Sequence, residues 1–478
     1  MKLGSVVFLL MLLLSPLAAQ NLPEVIRQRS KAVVSVSALS HTGEVVGRGN
    51  GFFISPDGIL LMPSSFFLNS DSVVVTLFNG RKLGVERVVS WHKYYNLSMV
   101  KVKGARDFEY LTPVRQTIRE PEEVLVLVHE SDGAASEVGR LSHVEALPRL
   151  TRMGRLNTRL GLESAGAPVL DGKGGWIGIF FEEGKSGSDC VLSALLLQDL
   201  HWASVDVPIG QLRKTEGWRS FVQDDFLTGL LAFCWGEYGE GARRISFFLK
   251  QYGNDLIAYS SRAHMRLLYG NMEGVTQDVG LMRKLYPGDG LSYFLEGLQL
   301  EQQGNFSKAI ACYDGCCQRS SSFGAAYLSL GKLVLRQNND IRGAFDLFSM
   351  ALLNDSLLAQ AYLERGKLLL QHSSSRDKAM ADFHHCIYLD PTQNGVFTIR
   401  GTCFFEQRNF AAAIRDFDEA LSRNPSDAHA WFNRGIAHYN VGLKDRACSD
   451  WERASRLGNE MAYKYISRYC PGMSNTFH

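Results

Sequence analysis

The sequence predicts two domains of opposite class, an all-β body followed by an all-α solenoid. A chain of 478 residues exceeds what one hydrophobic core ordinarily holds, and two domains fit the length. Between residues 24 and 215, short β-rich runs alternate with glycine turns, the spacing of an all-β barrel or sandwich. From about residue 222 the composition shifts to helix formers. Small residues then recur at Gly229, Ala263, Gly297, Gly331, Gly366, Gly401 and Gly435, at intervals of 34 or 35. A period of that length means stacked helical hairpins.

Residues 1–19 have the layout of a secretory signal: Lys2, an apolar stretch from Val6 to Leu14, a Ser15-Pro16 break and Leu17-Ala18-Ala19 before Gln20. The apolar stretch is shorter than the roughly 20 residues a membrane span needs. Membrane association is therefore expected only if this segment stays uncleaved. The β-rich runs of the 20–215 domain are Ala32 to Ser37, Gly51 to Ser55, Ile59 to Met62, Ser72 to Phe78, Leu97 to Val102, Glu123 to His129 and Gly175 to Phe181. Residues 216–221 read as a linker. The helical array fills 222–458, with Met461 to Tyr469 as a capping helix inside a 459–478 tail.

Composition excludes several function classes. A net charge of +2, with Lys and Arg spread along the chain, gives no electrostatic footprint for nucleic acid. Nine cysteines is an odd number, and the spacing matches no cystine-rich scaffold. Most occupy helix-packing positions, so the cysteines read as small buried thiols rather than disulfides. Cys316-Cys317 and His384-His385 lack the paired spacing of a zinc site. No metal and no small-molecule cofactor are expected.

In the β domain, Gly49-Asn50-Gly51-Phe52-Phe53-Ile54-Ser55-Pro56-Asp57-Gly58-Ile59-Leu60 resembles the segment leading to the catalytic histidine in trypsin-like serine proteases of the HtrA/Deg type. The resemblance places Ser65 at the histidine position. Asn96-Leu97-Ser98-Met99-Val100-Lys101-Val102 is similar to the strand that follows the catalytic aspartate, with Asn96 at that position. Ser164-Ala165-Gly166-Ala167-Pro168 resembles the nucleophile loop, with Ala165 in place of the serine. Val205 to Gln211 looks like the last strand and the start of a closing helix. The resemblance covers about 180 residues in order and implies an all-β double barrel.

It also implies lost chemistry. A serine hydroxyl needs an imidazole to take its proton, and the imidazole needs a carboxylate to hold its tautomer. Ser65, Asn96 and Ala165 supply none of these. Glu163 stands where the family's loop has a glycine whose N–H lines the oxyanion hole, and a residue with a Cβ resists that conformation. The alternative is an endopeptidase working through other residues, such as His92 with Ser64, Ser65 or Ser164. His92 itself reads as a solvated turn residue beside Trp91.

The helical array resembles tetratricopeptide repeats, clearly so in the five units at Gly297, Gly331, Gly366, Gly401 and Gly435 and in degenerate form at Gly229 and Ala263. Arg365, Arg400 and Arg434 each precede a marker glycine, and the same units carry Asp382, Asp416 and Asp450 on the second helix. These read as structural ion pairs within each hairpin. On the concave face, the lysine and asparagine pairs by which the family's peptide readers clamp a carboxylate are missing. Phe294, Leu328, Leu363 and Phe432, with Lys332 and Lys367, are the candidate binding residues there. The sequence thus reads as an exported, periplasmic or secreted, non-catalytic adaptor for a protein or peptide partner.

Overall fold

The computed structural model describes residues 22–67, 70–104, 107–114, 118, 122–130, 133–145, 147–150, 152–158, 160, 162–183, 188–194, 197, 202–214, 224–371, 375–393 and 395–470. Residues 1–19, read as a secretory signal, and residues 216–221, read as a linker, lie outside the described residues. Compact packing divides the chain into two units, one running to Ser320 and the other from Ser321.

The first unit opens with helix α1 (Leu22–Arg29) and continues in strands β1 (Val33–Leu39), β2 (Val45–Phe53), β3 (Ile59–Pro63), β4 (Ser72–Thr76), β5 (Lys82–His92) and β6 (Leu97–Val102). They hydrogen-bond in the order β5-β4-β1-β2-β3-β6, and β6 returns to β5, which closes a six-stranded barrel. Alternate residues point inward along β1, so Val34, Val36 and Ala38 meet Phe53, Leu60, Met62, Val75 and Val100 in the core. A second closed barrel follows, formed by β7 (Glu122–Glu130), β8 (Gly133–Glu145), β9 (Met153–Asn157), β10 (Pro168–Leu170), β11 (Trp176–Glu183) and β12 (Ser188–Ser193). Val124, Val126, Val128, Ile177, Phe180 and Val191 fill it. Strand β13 (Trp202–Pro208) returns to the first barrel and pairs with β5. A short 3-10 helix, Ile209–Lys214, follows it where a closing helix is expected from the sequence.

Three hairpins complete this unit: α2 (Asp224–Cys234) with α3 (Tyr238–Tyr252), α4 (Leu256–Leu268) with α5 (Met272–Leu285), and α6 (Leu291–Gln302) with α7 (Phe306–Arg319). They are anchored on both barrels. The Tyr94 ring of the first barrel lies 4.7 Å from Phe226 of α2. Its hydroxyl donates to the Asp255 carboxylate at 3.1 Å, and Lys93 pairs with the same carboxylate. From the second barrel, Arg149 reaches Asp289 at 2.6 Å and Ser320 at 3.1 Å. Asp255 also caps α4 by accepting from Ala258 N–H at 2.9 Å, so one buried carboxylate serves both the helix start and the docking.

The second unit holds α8 (Gly324–Asn338) with α9 (Ile341–Asn354), α10 (Ala359–Leu369) with α11 (Arg376–Leu389), α12 (Val396–Glu406) with α13 (Phe410–Arg423), and α14 (Ala428–Asn440) with α15 (Lys444–Arg456). Helix α16 (Glu460–Tyr469) covers the end, burying Ala462 and Ile466 against Trp451. The marker glycines are packing devices. A Cβ built at Gly366 would meet Phe383 Cε1 at 2.6 Å, and one at Gly435 would meet Trp451 Nε1 at 2.5 Å. A small residue on one helix thus admits the aromatic ring of the other. The cysteine expectation is corrected for one pair: Cys448 of α15 and Cys470, just past α16, form a disulfide, with Cα atoms 5.9 Å apart. Folding the capping helix back across α15 brings together two residues that no short spacing motif connects.

The ion pairs inferred from the sequence are present and bidentate. Arg365 donates to Asp382 at 2.8 and 2.7 Å, Arg400 to Asp416 at 2.8 and 2.7 Å, and Arg434 to Asp450 at 3.0 and 2.6 Å. A fourth case escaped the sequence reading: Arg262, before the marker Ala263, donates to Asp278 at 2.5 and 3.1 Å. Where Glu296 takes the arginine's place, Cys312 stands opposite and donates to it at 3.2 Å. The aspartates are all buried, which changes the energetics from the surface-pair case. Removing one member of a buried pair strands a charge and costs about 3 to 5 kcal/mol, whereas replacing both with apolar side chains is nearly neutral.

Two stability predictions follow from this packing. Asp416→Ala is expected to lower the unfolding free energy by about 3 kcal/mol, and Arg400→Met with Asp416→Leu by less than about 1 kcal/mol, read from urea denaturation by circular dichroism. His264 of α4 packs beside Phe233, with ring centroids 6.5 Å apart, and burial lowers its pKa to about 4. Its neutral form is the folded one, so its contribution is complete above pH 6.5 and is lost as pH falls toward 4, up to about 3 kcal/mol in all. Wild type is expected to lose more stability over that window than His264→Phe does.

Candidate functional site

The positions that resemble a catalytic triad are brought together where the barrels meet. Strand β3 ends at Pro63 and runs into a short 3-10 helix, Ser64–Phe67, that carries Ser65. Because Pro63 pairs with Leu97, the residue before β6 falls beside this turn, and Ser64 N–H donates to the Asn96 carbonyl at 2.8 Å. Asn96 adopts φ +50°, the left-handed conformation that asparagine tolerates better than most residues. Ala165 lies in the turn between the 3-10 segment Leu162–Ser164 and β10. The next residue, Gly166, has φ +86°, and a Cβ there would sit 2.4 Å from the Asn50 carbonyl oxygen and 2.5 Å from Pro63 Cδ. Only glycine fits this contact between the loop of one barrel and the β3 end of the other.

Asn50 of β2 holds the junction and was not singled out by the sequence. Its backbone N–H donates to the Ala165 carbonyl at 3.0 Å. Its side chain is buried, donating from Nδ2 to the Glu163 carbonyl at 2.8 Å and accepting from His129 N–H at 2.7 Å. One amide therefore satisfies two backbone groups of the second barrel. His129 is itself buried, and its ring nitrogens have no hydrogen-bond partner among the described residues.

The groups at this junction are a half-buried hydroxyl at Ser65, an amide at Asn96 and a methyl at Ala165. Ser64 Oγ and Ser98 Oγ share a buried 2.6 Å hydrogen bond. Glu163 is exposed, its carboxylate 3.9 Å from Arg48, and it is not among the residues with positive φ. The positive φ of this loop falls at Gly166 instead, where the N–H is engaged by the Phe180 carbonyl at 2.9 Å. The reading of His92 as a solvated turn residue is corrected. It ends β5 fully buried, its ring stacked on Tyr95 at 4.2 Å and set edge-on to Trp202 at 5.1 Å, and its Nδ1 accepts from Tyr94 N–H at 3.2 Å.

On the helices, Phe294, Leu328 and Leu363 are corrected from candidate binding residues to core. Each is buried: Phe294 packs on Tyr313, Leu328 with Phe348, and Leu363 with Phe383. Each precedes a marker glycine by three residues, and three residues on a helix is nearly a full turn, so both face the second helix of the hairpin. Phe432 is half-buried against Tyr465 of α16, with ring centroids 5.1 Å apart. The residues just after the markers point elsewhere. Lys332 is exposed, and Lys367 is half-exposed with its ammonium 3.0 Å from Glu364.

A sequence model of the tetratricopeptide repeat matches residues 400–461. Hsp70-Hsp90 organizing protein 1 of Glycine max is 22% identical over 166 residues, 33% of this chain and 27% of that protein. Heat shock protein STI1 of Saccharomyces cerevisiae is 32% identical over 82 residues, 17% of this chain and 14% of that protein. The chain thus spans about a quarter or less of the length of these relatives. Among solved structures, the active form of the Rv3671c protease from M. tuberculosis is 18% identical with a TM-score of 0.34, covering 38% of this chain and 86% of that one. YrrB, a tetratricopeptide protein with an unusual peptide-binding site, is 17% identical with a TM-score of 0.35, covering 40% of this chain and 97% of that one. Two closed six-stranded barrels followed by helical hairpins define this chain as a trypsin-like β-body carrying a tetratricopeptide-type helical array.

The Asn50 bridge is testable directly. Asn50→Leu is expected to strand His129 N–H and the Glu163 carbonyl, costing at least about 2 kcal/mol and accelerating amide exchange at His129. Unchanged exchange at His129 would mean that the bridge carries no stability.

Proposed function

We propose that this protein is an exported, non-catalytic adaptor: its helical array binds a protein or peptide partner, and its protease-like body serves as a second docking module. The observation that carries the reading is the junction of the barrels, where the backbone brings three triad-like positions together and the side chains are Ser65, Asn96 and Ala165. None of these supplies an imidazole base or a carboxylate to orient one, and His92 packs between the rings of Tyr95 and Trp202. Export is supported by the apolar segment after Lys2 and by the Cys448–Cys470 disulfide, which suits an oxidising compartment.

A partner-binding role is supported by the hairpin array itself and by the organizing proteins among its relatives. In the second unit, Lys332 is an exposed cation on the first helix of its hairpin, as is Arg336, and Lys367 holds the place equivalent to Lys332 one hairpin later with its charge shared with Glu364. An acidic peptide segment is the occupant that this pair suits. Affinity capture from envelope extract tests the reading: wild type is expected to retain partners that Lys332→Glu with Lys367→Glu loses by about tenfold or more. Equal recovery by both chains overturns this binding face.

A further inference from the structure

Helix α2 meets the second barrel through a contact that the adaptor reading does not use. On β12, Cys190 pairs in register with Arg155 of β9. The Arg155 side chain leaves the barrel, and its Nε donates to the carbonyl of Cys234, the last residue of α2, at 2.5 Å. Its guanidinium lies 5.2 Å from the ring of Trp235, the next residue. Arg155 thus seats the end of α2 beside its own strand partner. Cys190 and Cys234 are both fully buried where α2 packs against β12.

We propose that Cys190 and Cys234 are a disulfide-forming pair that covalently latches helix α2 to the second barrel. Two features separate this pair from the other free thiols. Its members come from different domain classes, so a bond between them restrains the docking of the first hairpin on the β-body. Cys312, Cys316 and Cys317, by contrast, lie on one helix, and Cys386 and Cys403 lie on helices of the second unit. The pair is also pre-positioned by a clamp, Arg155, that is independent of the sulfurs.

The chemistry fixes when the bond forms. The neighbouring Cys234 thiol, together with burial, pushes the Cys190 thiol well above the usual thiol range. The attacking species is the thiolate, so the docked pair is inert. Oxidation therefore occurs while α2 is undocked, during folding. A small-molecule disulfide such as oxidised glutathione, or the disulfide of a thiol oxidoreductase, accepts the two electrons. One thiolate attacks that disulfide and releases a thiol; the second cysteine then attacks the mixed disulfide, so the Cys190–Cys234 bond forms, two S–H bonds break and two thiols leave. Docking then seals the bond from reductants.

The full chain, refolded in a glutathione redox buffer, blocked with N-ethylmaleimide in denaturant and digested without reductant, tests this by mass spectrometry. A linked Cys190–Cys234 peptide in most molecules is expected, with reduction by dithiothreitol about tenfold or more slower in the native chain than in denaturant. Maleimide on both residues in most molecules, or links from them to other cysteines, overturns the proposal. A thermal comparison stands beside it. The oxidised chain is expected to melt about 3 °C or more above the reduced one, beyond any difference that Cys234→Ser shows, since Cys448–Cys470 contributes to both. An equal difference in Cys234→Ser also overturns the latch.

Discussion

A single buried amide, Asn50, sets the arrangement on which the functional reading rests. It stands on a strand of the first barrel and satisfies the Glu163 carbonyl and the His129 N–H of the second, while its own N–H meets the Ala165 carbonyl. The His129 N–H is buried and would otherwise be a polar group without this partner. The close contact of Gly166 with Asn50 and Pro63 adds a steric constraint to the polar one. Together they hold the loop that carries Ala165 against the turn that carries Ser65. The junction is thus held by contacts of Asn50, Gly166 and Pro63 that do not involve the side chains of Ser65, Asn96 or Ala165.

The helical hairpins solve a different problem with the same economy of residue types. A small marker residue admits a ring from the facing helix, and in four hairpins an arginine beside the marker forks onto a buried aspartate sixteen or seventeen residues later. The apolar contact supplies the stabilisation. The fork contributes geometry, because a bidentate guanidinium and carboxylate accept only one relative placement of two helices. In the hairpin marked by Gly331, Leu330 and Leu347 occupy the corresponding places, consistent with an ion pair that specifies more than it stabilises.

Both domain classes were legible from the sequence, because glycine-punctuated strand runs and a 34-residue period are local signals. Strands β5, β8, β9, β10 and β12 were not read. β8 and β9 mix Glu, Arg, Ser and Gly with few alternating apolar residues, and their place in a closed barrel comes from neighbours distant in the chain. The ion pairs were legible because their members recur in register, and the fourth was passed over because its marker is Ala263 rather than glycine. The candidate binding residues fared worse. Phe294, Leu328 and Leu363 share a face with the marker glycines, and helical phase alone would have assigned them to the core. Asn50, the disulfide partner of Cys448 and the anchoring of the first hairpins on both barrels are long-range facts that no window of sequence contains.

The central claim is that a protease-shaped junction is retained here without a functioning nucleophile. Labelling of the purified chain with a serine-directed fluorophosphonate, alongside an active trypsin-like protease as control, tests it most directly. The account predicts that the control reacts and this chain does not. Covalent label mapped by mass spectrometry to Ser64, Ser65 or Ser164 would contradict it.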